Sequence, residues 1–78
     1  MFNVGDKVIY TSGSYGAFLN NPLWSVYRTK GTVVNVLGTP GTYTTYRVHW
    51  DNDTDNTYEE DDLELYNSIL TLISEHYE

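Results

Sequence analysis

The chain has no cysteine, so neither a disulfide nor a thiolate metal site can stabilise it, and its redox compartment is unconstrained. Cations are scarce: four Lys and Arg stand against eleven Asp and Glu in 78 residues. A surface that neutralises phosphates needs clustered positive charge, whereas Lys7, Arg28, Lys30 and Arg47 are scattered along the sequence. Direct nucleic-acid binding is therefore disfavoured, and attraction to basic partners is favoured. His49 and His76 are the only histidines, too few for a usual zinc site. No stretch approaches the ~20 apolar residues of a membrane span. The opening MFNVGDKV also lacks the charged-then-apolar pattern of a signal peptide, so a soluble cytoplasmic protein is expected. There is no Gly-rich phosphate loop and no recognisable nucleophile–base spacing, which points away from an enzyme and implies no cofactor.

What is abundant is aromatic surface. Twelve aromatics, eight of them tyrosine, give a small domain large contact area per residue. They fall among short strand-like runs. Lys7-Val8-Ile9-Tyr10 reads as a first strand, and Thr32–Leu37 as a β-branched second, bounded by Gly31 and the turn cluster Gly38-Thr39-Pro40-Gly41. Tyr43–Trp50 alternates, with Tyr46, Val48 and Trp50 facing one way and Thr45, Arg47 and His49 the other. Asn56–Glu59 and Leu63–Tyr66 supply a fourth and a fifth strand. Between the first two lies a connection over 11–30 whose Tyr15, Phe18, Trp24 and Tyr27 argue for packing or binding. In the tail, 67–78, Ile69, Leu72, Ile73 and Tyr77 form one stripe of a short helix behind an Asn67 or Ser68 cap.

The strangest stretch is VHWDNDTDNTYEEDDLELY, residues 48–66, which holds eight of the eleven carboxylates. From Asp51 to Asp62, acids occupy positions 1, 3, 5, 9 and 12 of a twelve-residue window, near the spacing of an EF-hand calcium loop. Several features oppose calcium. Asn56 stands where the sharp turn needs glycine, Asp62 where a bidentate glutamate belongs, and the preceding Tyr43–Trp50 alternates as a strand. The Asp/Asn/Thr run also suits an ordinary turn. Seven acids in twelve residues nevertheless repel one another, and a metal ion or basic partner would relieve that repulsion.

Particular residues also carry a resemblance. VGDKVIYTSG (4–13) and KGTVVNVL (30–37) resemble the KOW motif of ribosomal and transcription-elongation proteins, with Gly5, Asp6, Val8, Gly31, Val33 and Val36 in its places. The connection between them is about twenty mostly uncharged residues, where KOW motifs have a short basic stretch. The second half is similar to Mind-bomb/HERC-type and Tudor-like domains at Gly31, Val33, Val34, Val48, Trp50, Asp51, Asn52, Tyr58, Asp62 and Leu63. Asp53 stands where those domains usually have glycine. The resemblance implies a mainly β fold: one SH3-like five-stranded barrel over 1–66, with 67–78 as a short C-terminal helical extension. The Tudor-like half further implies an aromatic cage for a methylated cation, drawn from Trp24, Tyr46, Trp50 and Tyr58 with Asp53 adding charge. Alternation assigns Tyr46 and Trp50 to the core and leaves Trp24 and Tyr58 freer.

The expectation is a non-enzymatic module that binds a basic protein or peptide. Trp24 and Tyr58 would anchor it, and Asp53, Asp55, Glu59 and Glu60 would steer it. The KOW-like half suggests a partner in a transcription or nucleic-acid-processing machine. The alternative is an acidic nucleic-acid mimic of phage or viral type, occupying the basic groove of an enzyme. Calcium binding by 51–62 is a third.

Overall fold

A computed structural model describes residues 1–39 and 42–66; the tail helix expected at 67–78 lies outside the described residues. Five strands form one antiparallel sheet: β1 (Lys7–Tyr10), β2 (Gly31–Thr39), β3 (Tyr43–Trp50), β4 (Asp55–Glu59) and β5 (Leu63–Leu65), in the order β4-β3-β2-β1-β5. The chain is thus mainly β, as its alternating runs predict. The sheet is not closed by pairing between β4 and β5, which are joined by a 3-10 turn at Glu60–Asp62. No described helix is long and apolar enough to cross a membrane.

β3 has the limits and faces its alternation predicts, with Tyr46, Val48 and Trp50 fully buried. β2 runs further than expected. Gly38 and Thr39 pair with Thr44 and Tyr43 rather than forming the turn, and the Thr42 N–H closes the hairpin on the Thr39 carbonyl at 3.1 Å. Its register shifts between Val33 and Asn35, so Val34 is an inserted, exposed residue. The bulge lets Val33 and Val36, an odd number apart, both reach the core.

Gly31 opens β2 directly opposite Trp50. A Cβ there would lie 2.5 Å from both Trp50 Cε3 and Val48 Cγ1, so this glycine is required by packing. The core above it joins Phe2, Val8, Tyr10, Val33, Tyr46, Val48, Trp50, Tyr58 and Leu63. Tyr58 is its aromatic hub, with ring centroids 5.3 Å from Tyr10 and 5.6 Å, edge-on, from Trp50. Such pairs add about 0.5–1.5 kcal/mol each beyond the area they bury.

Candidate functional site

Residues 51–62 are not one loop, which removes the basis of the calcium reading. They form a tight turn, then β4, then the 3-10 turn, and strands flank them where an EF-hand needs helices. Asp62 turns inward at the far end of β4 from Asp51–Asp55. It accepts from Ser12 Oγ at 2.7 Å, from the Tyr15 hydroxyl at 2.9 Å and from the Glu59 N–H at 3.2 Å. The bond from Tyr15 to this carboxylate, aided by desolvation, pushes the Tyr15 phenol up to about 12. Among the described residues no three His, Asp or Glu side chains converge as a metal requires.

The β3–β4 turn is built by its own polar side chains. Asn52 Oδ1 accepts from the Thr54 N–H at 3.1 Å and from Thr54 Oγ1 at 2.6 Å, while the Asp53 N–H bonds the Trp50 carbonyl at 2.9 Å. Asp53 sits in the left-handed region at φ 66°, a conformation that favours glycine and that a short polar side chain tolerates.

This turn grips the first loop. Phe18 and Asn21 exchange both backbone bonds at 3.0 Å, making a four-residue turn. The Leu19 carbonyl accepts from Asn52 Nδ2 at 2.7 Å and Thr54 Oγ1 at 3.1 Å. Asn21 Oδ1, buried, accepts from Asn56 Nδ2 at 2.6 Å and the Tyr58 hydroxyl at 2.7 Å. The backbone of 18–21 is therefore fixed by β3–β4 side chains, while the side chains at its tip face solvent: Phe18 is 58% and Leu19 67% exposed. Two large exposed apolar groups stand beside an acidic turn. The sequence holds a signal for them, two apolar residues followed at once by the turn-forming Asn20-Asn21-Pro22.

The six residues picked from the sequence are not brought together. Asp53 lies on the turn whose Asn52 and Thr54 hold the Leu19 carbonyl, whereas Asp55 opens β4 and pairs with His49 and Arg47 on the outward face of β3. Glu59 and Glu60 lie at the other end of β4, where with Met1, Thr42, Tyr43, Thr44 and Asp61 they line an open cleft of about 300 Å³. Glu60 there pairs with the Met1 α-ammonium at 3.1 Å. Tyr58 is a correction: it is buried in the core, and its hydroxyl serves Trp50 and Asn21. Trp24 lies on a single helical turn, α1 (Trp24–Tyr27), absent from the sequence expectation, packed edge-on against Tyr66 at 5.9 Å with Arg28 over its ring. With Tyr46, Trp50 and Tyr58 all in the core, no open cage forms from these four rings.

Part of the acid repulsion is relieved within the chain. His49 Nδ1 lies 2.7 Å from Asp55 Oδ1 and its Nε2 3.6 Å from Asp53 Oδ1, while Arg47 reaches Asp55 at 3.6 Å. The hydrogen bond to Asp55 raises the imidazole above its usual 6.5, against a smaller opposing effect of desolvation. The outward residues of β3 thus answer the carboxylates across the turn. Comparison with protein-family profiles, with curated proteins and with solved structures returns no match to this chain.

Proposed function

We propose that this chain is a non-enzymatic interaction module, an SH3-like barrel that binds a basic protein or peptide carrying an apolar residue. The barrel reading is supported by the strand order, by the bulge that bends β2, and by the 3-10 turn that carries β4 into β5. The observation that carries the function is the Phe18–Leu19 tip, whose Leu19 carbonyl accepts from Asn52 and Thr54 and whose neighbouring Asn20 carbonyl accepts from Asn56 and Tyr58. Binding usually loses free energy to ordering loops, and here the loop backbone is already hydrogen-bonded to the β3–β4 turn and β4. Phe18 and Leu19 supply the apolar anchor; Asp53 and Asp51 steer cations toward it and disfavour acidic competitors. The KOW-like residues point to a partner in a transcription or nucleic-acid-processing machine.

Selection of displayed random peptides on the wild-type chain tests this. Enriched sequences should combine Lys or Arg with an apolar residue. They should be lost both with Phe18→Ser/Leu19→Ser and with Asp51→Asn/Asp53→Asn. Enrichment of uncharged sequences, or binding indifferent to both variants, rejects the reading.

A nucleic-acid mimic is the second reading, and one feature favours it. A mimic needs separated carboxylates, and β4 sets Asp51, Asp53 and Asp55 apart from Glu59, Glu60 and Asp61. A duplex DNA competitor that strips the selected partner from the chain would promote it to first place.

A further inference from the structure

The fold sets Arg28 and Lys30 over two aromatic rings and brings Lys7, distant in sequence, to the neighbouring strand. The Arg28 guanidinium lies 5.3 Å from the Trp24 ring centre, and Lys30 Nζ lies 4.8 Å from that of Tyr66. Trp24 and Tyr66 pack edge-on against each other, which joins the two cation–ring pairs into one unit. Lys7 flanks it: its carbonyl accepts the Tyr66 N–H at 2.8 Å, and its ammonium bonds Thr32 Oγ1, two residues after Lys30.

Arg47 is paired with Asp55. Among the described residues, Lys7, Arg28 and Lys30 have no carboxylate within 4.0 Å. Asp51 comes near in the backbone, donating its N–H to the Lys30 carbonyl at 3.0 Å, but its side chain makes no ion pair there.

Arg28 also occupies a conformation that disfavours it. It caps α1 at φ 52°, ψ 35°, where glycine sits without strain. Its N–H bonds the Trp24 carbonyl at 3.0 Å, and its side chain lies over the same residue's ring. The guanidinium is therefore held in place, with donors free for a planar anion.

We infer that this cation–aromatic cluster docks an acidic, extended segment of a partner protein, through carboxylates bonded to Arg28 and Lys30 with Lys7 alongside. Two observations favour carboxylates over a nucleic-acid strand. Stacking of bases needs open ring faces, and here cations lie over both rings. A continuous polyanion would also meet the neighbouring acidic turn of a chain with net charge −7, whereas a short acidic segment ends before it. The cluster is distinct from the Phe18–Leu19 tip, so one chain presents surfaces for partners of opposite charge.

The test uses a hexaglutamate peptide titrated into the isotope-labelled full chain and read by NMR. The expected result is saturable movement of the Trp24 indole and of the Arg28 and Lys30 amides, abolished by high salt. Arg28→Gly relieves the left-handed strain while removing the cation, so it should melt no lower than wild type yet bind at least about tenfold more weakly, as loss of a charge-assisted pair requires. Lys30→Gln should weaken binding without unfolding. The inference is overturned if no resonance moves, or if both variants bind like wild type. It is equally overturned if hexathymidylate binds more tightly than the peptide, or if the same resonances move on raising protein concentration alone.

Discussion

The indole N–H of Trp50 donates to the Tyr58 hydroxyl across 3.1 Å, and that hydroxyl lies 2.7 Å from the Asn21 amide oxygen that accepts from it. Two bonds thus connect the centre of the core to the base of the Phe18–Asn21 turn. Buried aromatics are in this way part of what fixes an exposed one, Phe18. Such a relay binds loop order to core integrity, because a buried polar group left unpaired is penalised strongly.

Tyr58→Phe cuts both bonds and keeps the ring. It strands the Trp50 N–H in the core, a loss of about 1–3 kcal/mol. For a domain of this size each kcal/mol lowers the melting midpoint by roughly 4–8 °C. Amide exchange at Phe18 and Asn21 should accelerate in step, and affinity for the basic peptide should fall although Tyr58 itself touches no partner. An unchanged melt would show that the relay carries no stability.

The strands were legible because period-two alternation is local. Tyr46, Val48 and Trp50 need only each other to declare an inward face, and the structure buries all three. Tyr58 obeys the same rule, pairing with Tyr46 across β3–β4, yet its polar tip and acidic neighbours suggested a surface role. What decides its place is a hydroxyl partner 37 residues away in sequence, which no local pattern reveals. The same holds for the site. Where the first loop touches the acidic turn was not readable: that the Leu19 end of the loop, rather than Trp24, meets that turn depends on long-range bonds from Asn52 and Thr54. The cation cluster is likewise invisible in a sequence where its members lie far apart.

Gly31→Ala tests the close approach at the start of β2. The added methyl would meet Trp50 and Val48 side chains that are themselves fully enclosed, so neither can yield cheaply. Overpacking of this kind costs about 1–3 kcal/mol. Chemical denaturation should show a lower midpoint with an unchanged slope. Gly13→Ala offers a contrast, since its Cβ would have nearly 4 Å of clearance and only its φ of 71° is unfavourable.

Asp62→Asn places an N–H₂ group where both carboxylate oxygens now accept: Oδ1 from Ser12, Oδ2 from Tyr15 and from the Glu59 amide. Even with that group turned toward Ser12, whose hydroxyl can rotate to accept, the bonds from Tyr15 and Glu59 lose their charged acceptor, at a loss of about 1 kcal/mol. The Tyr15 ring carbon resonance gives a sharper readout. In the wild type it should titrate near 12, and in the variant it should move back toward 10, because the bond to Asp62 is the largest cause of the shift.

His49 makes the acidic turn sensitive to pH near neutrality. Its folded pKa lies above the unfolded value of 6.5, chiefly because it bonds Asp55, with the charges of Asp55 and Asp53 adding to this. A group raised on folding binds its proton more tightly in the native state. Its stabilisation is therefore complete below 6.5 and disappears as pH climbs through the raised folded value. The stability difference between wild type and His49→Gln should accordingly be larger at pH 6 than at pH 8.5, measured by urea denaturation at each pH. Asp55→Asn should return the His49 ring titration toward 6.5 while Asp53→Asn moves it less, since Asp53 sits at 3.6 Å against 2.7 Å for Asp55. The same proton sets the charge offered to a partner. Above the His49 pKa the turn loses a cation and becomes more negative, so binding of a basic peptide at Phe18–Leu19 should strengthen with rising pH, and His49→Gln should abolish that dependence.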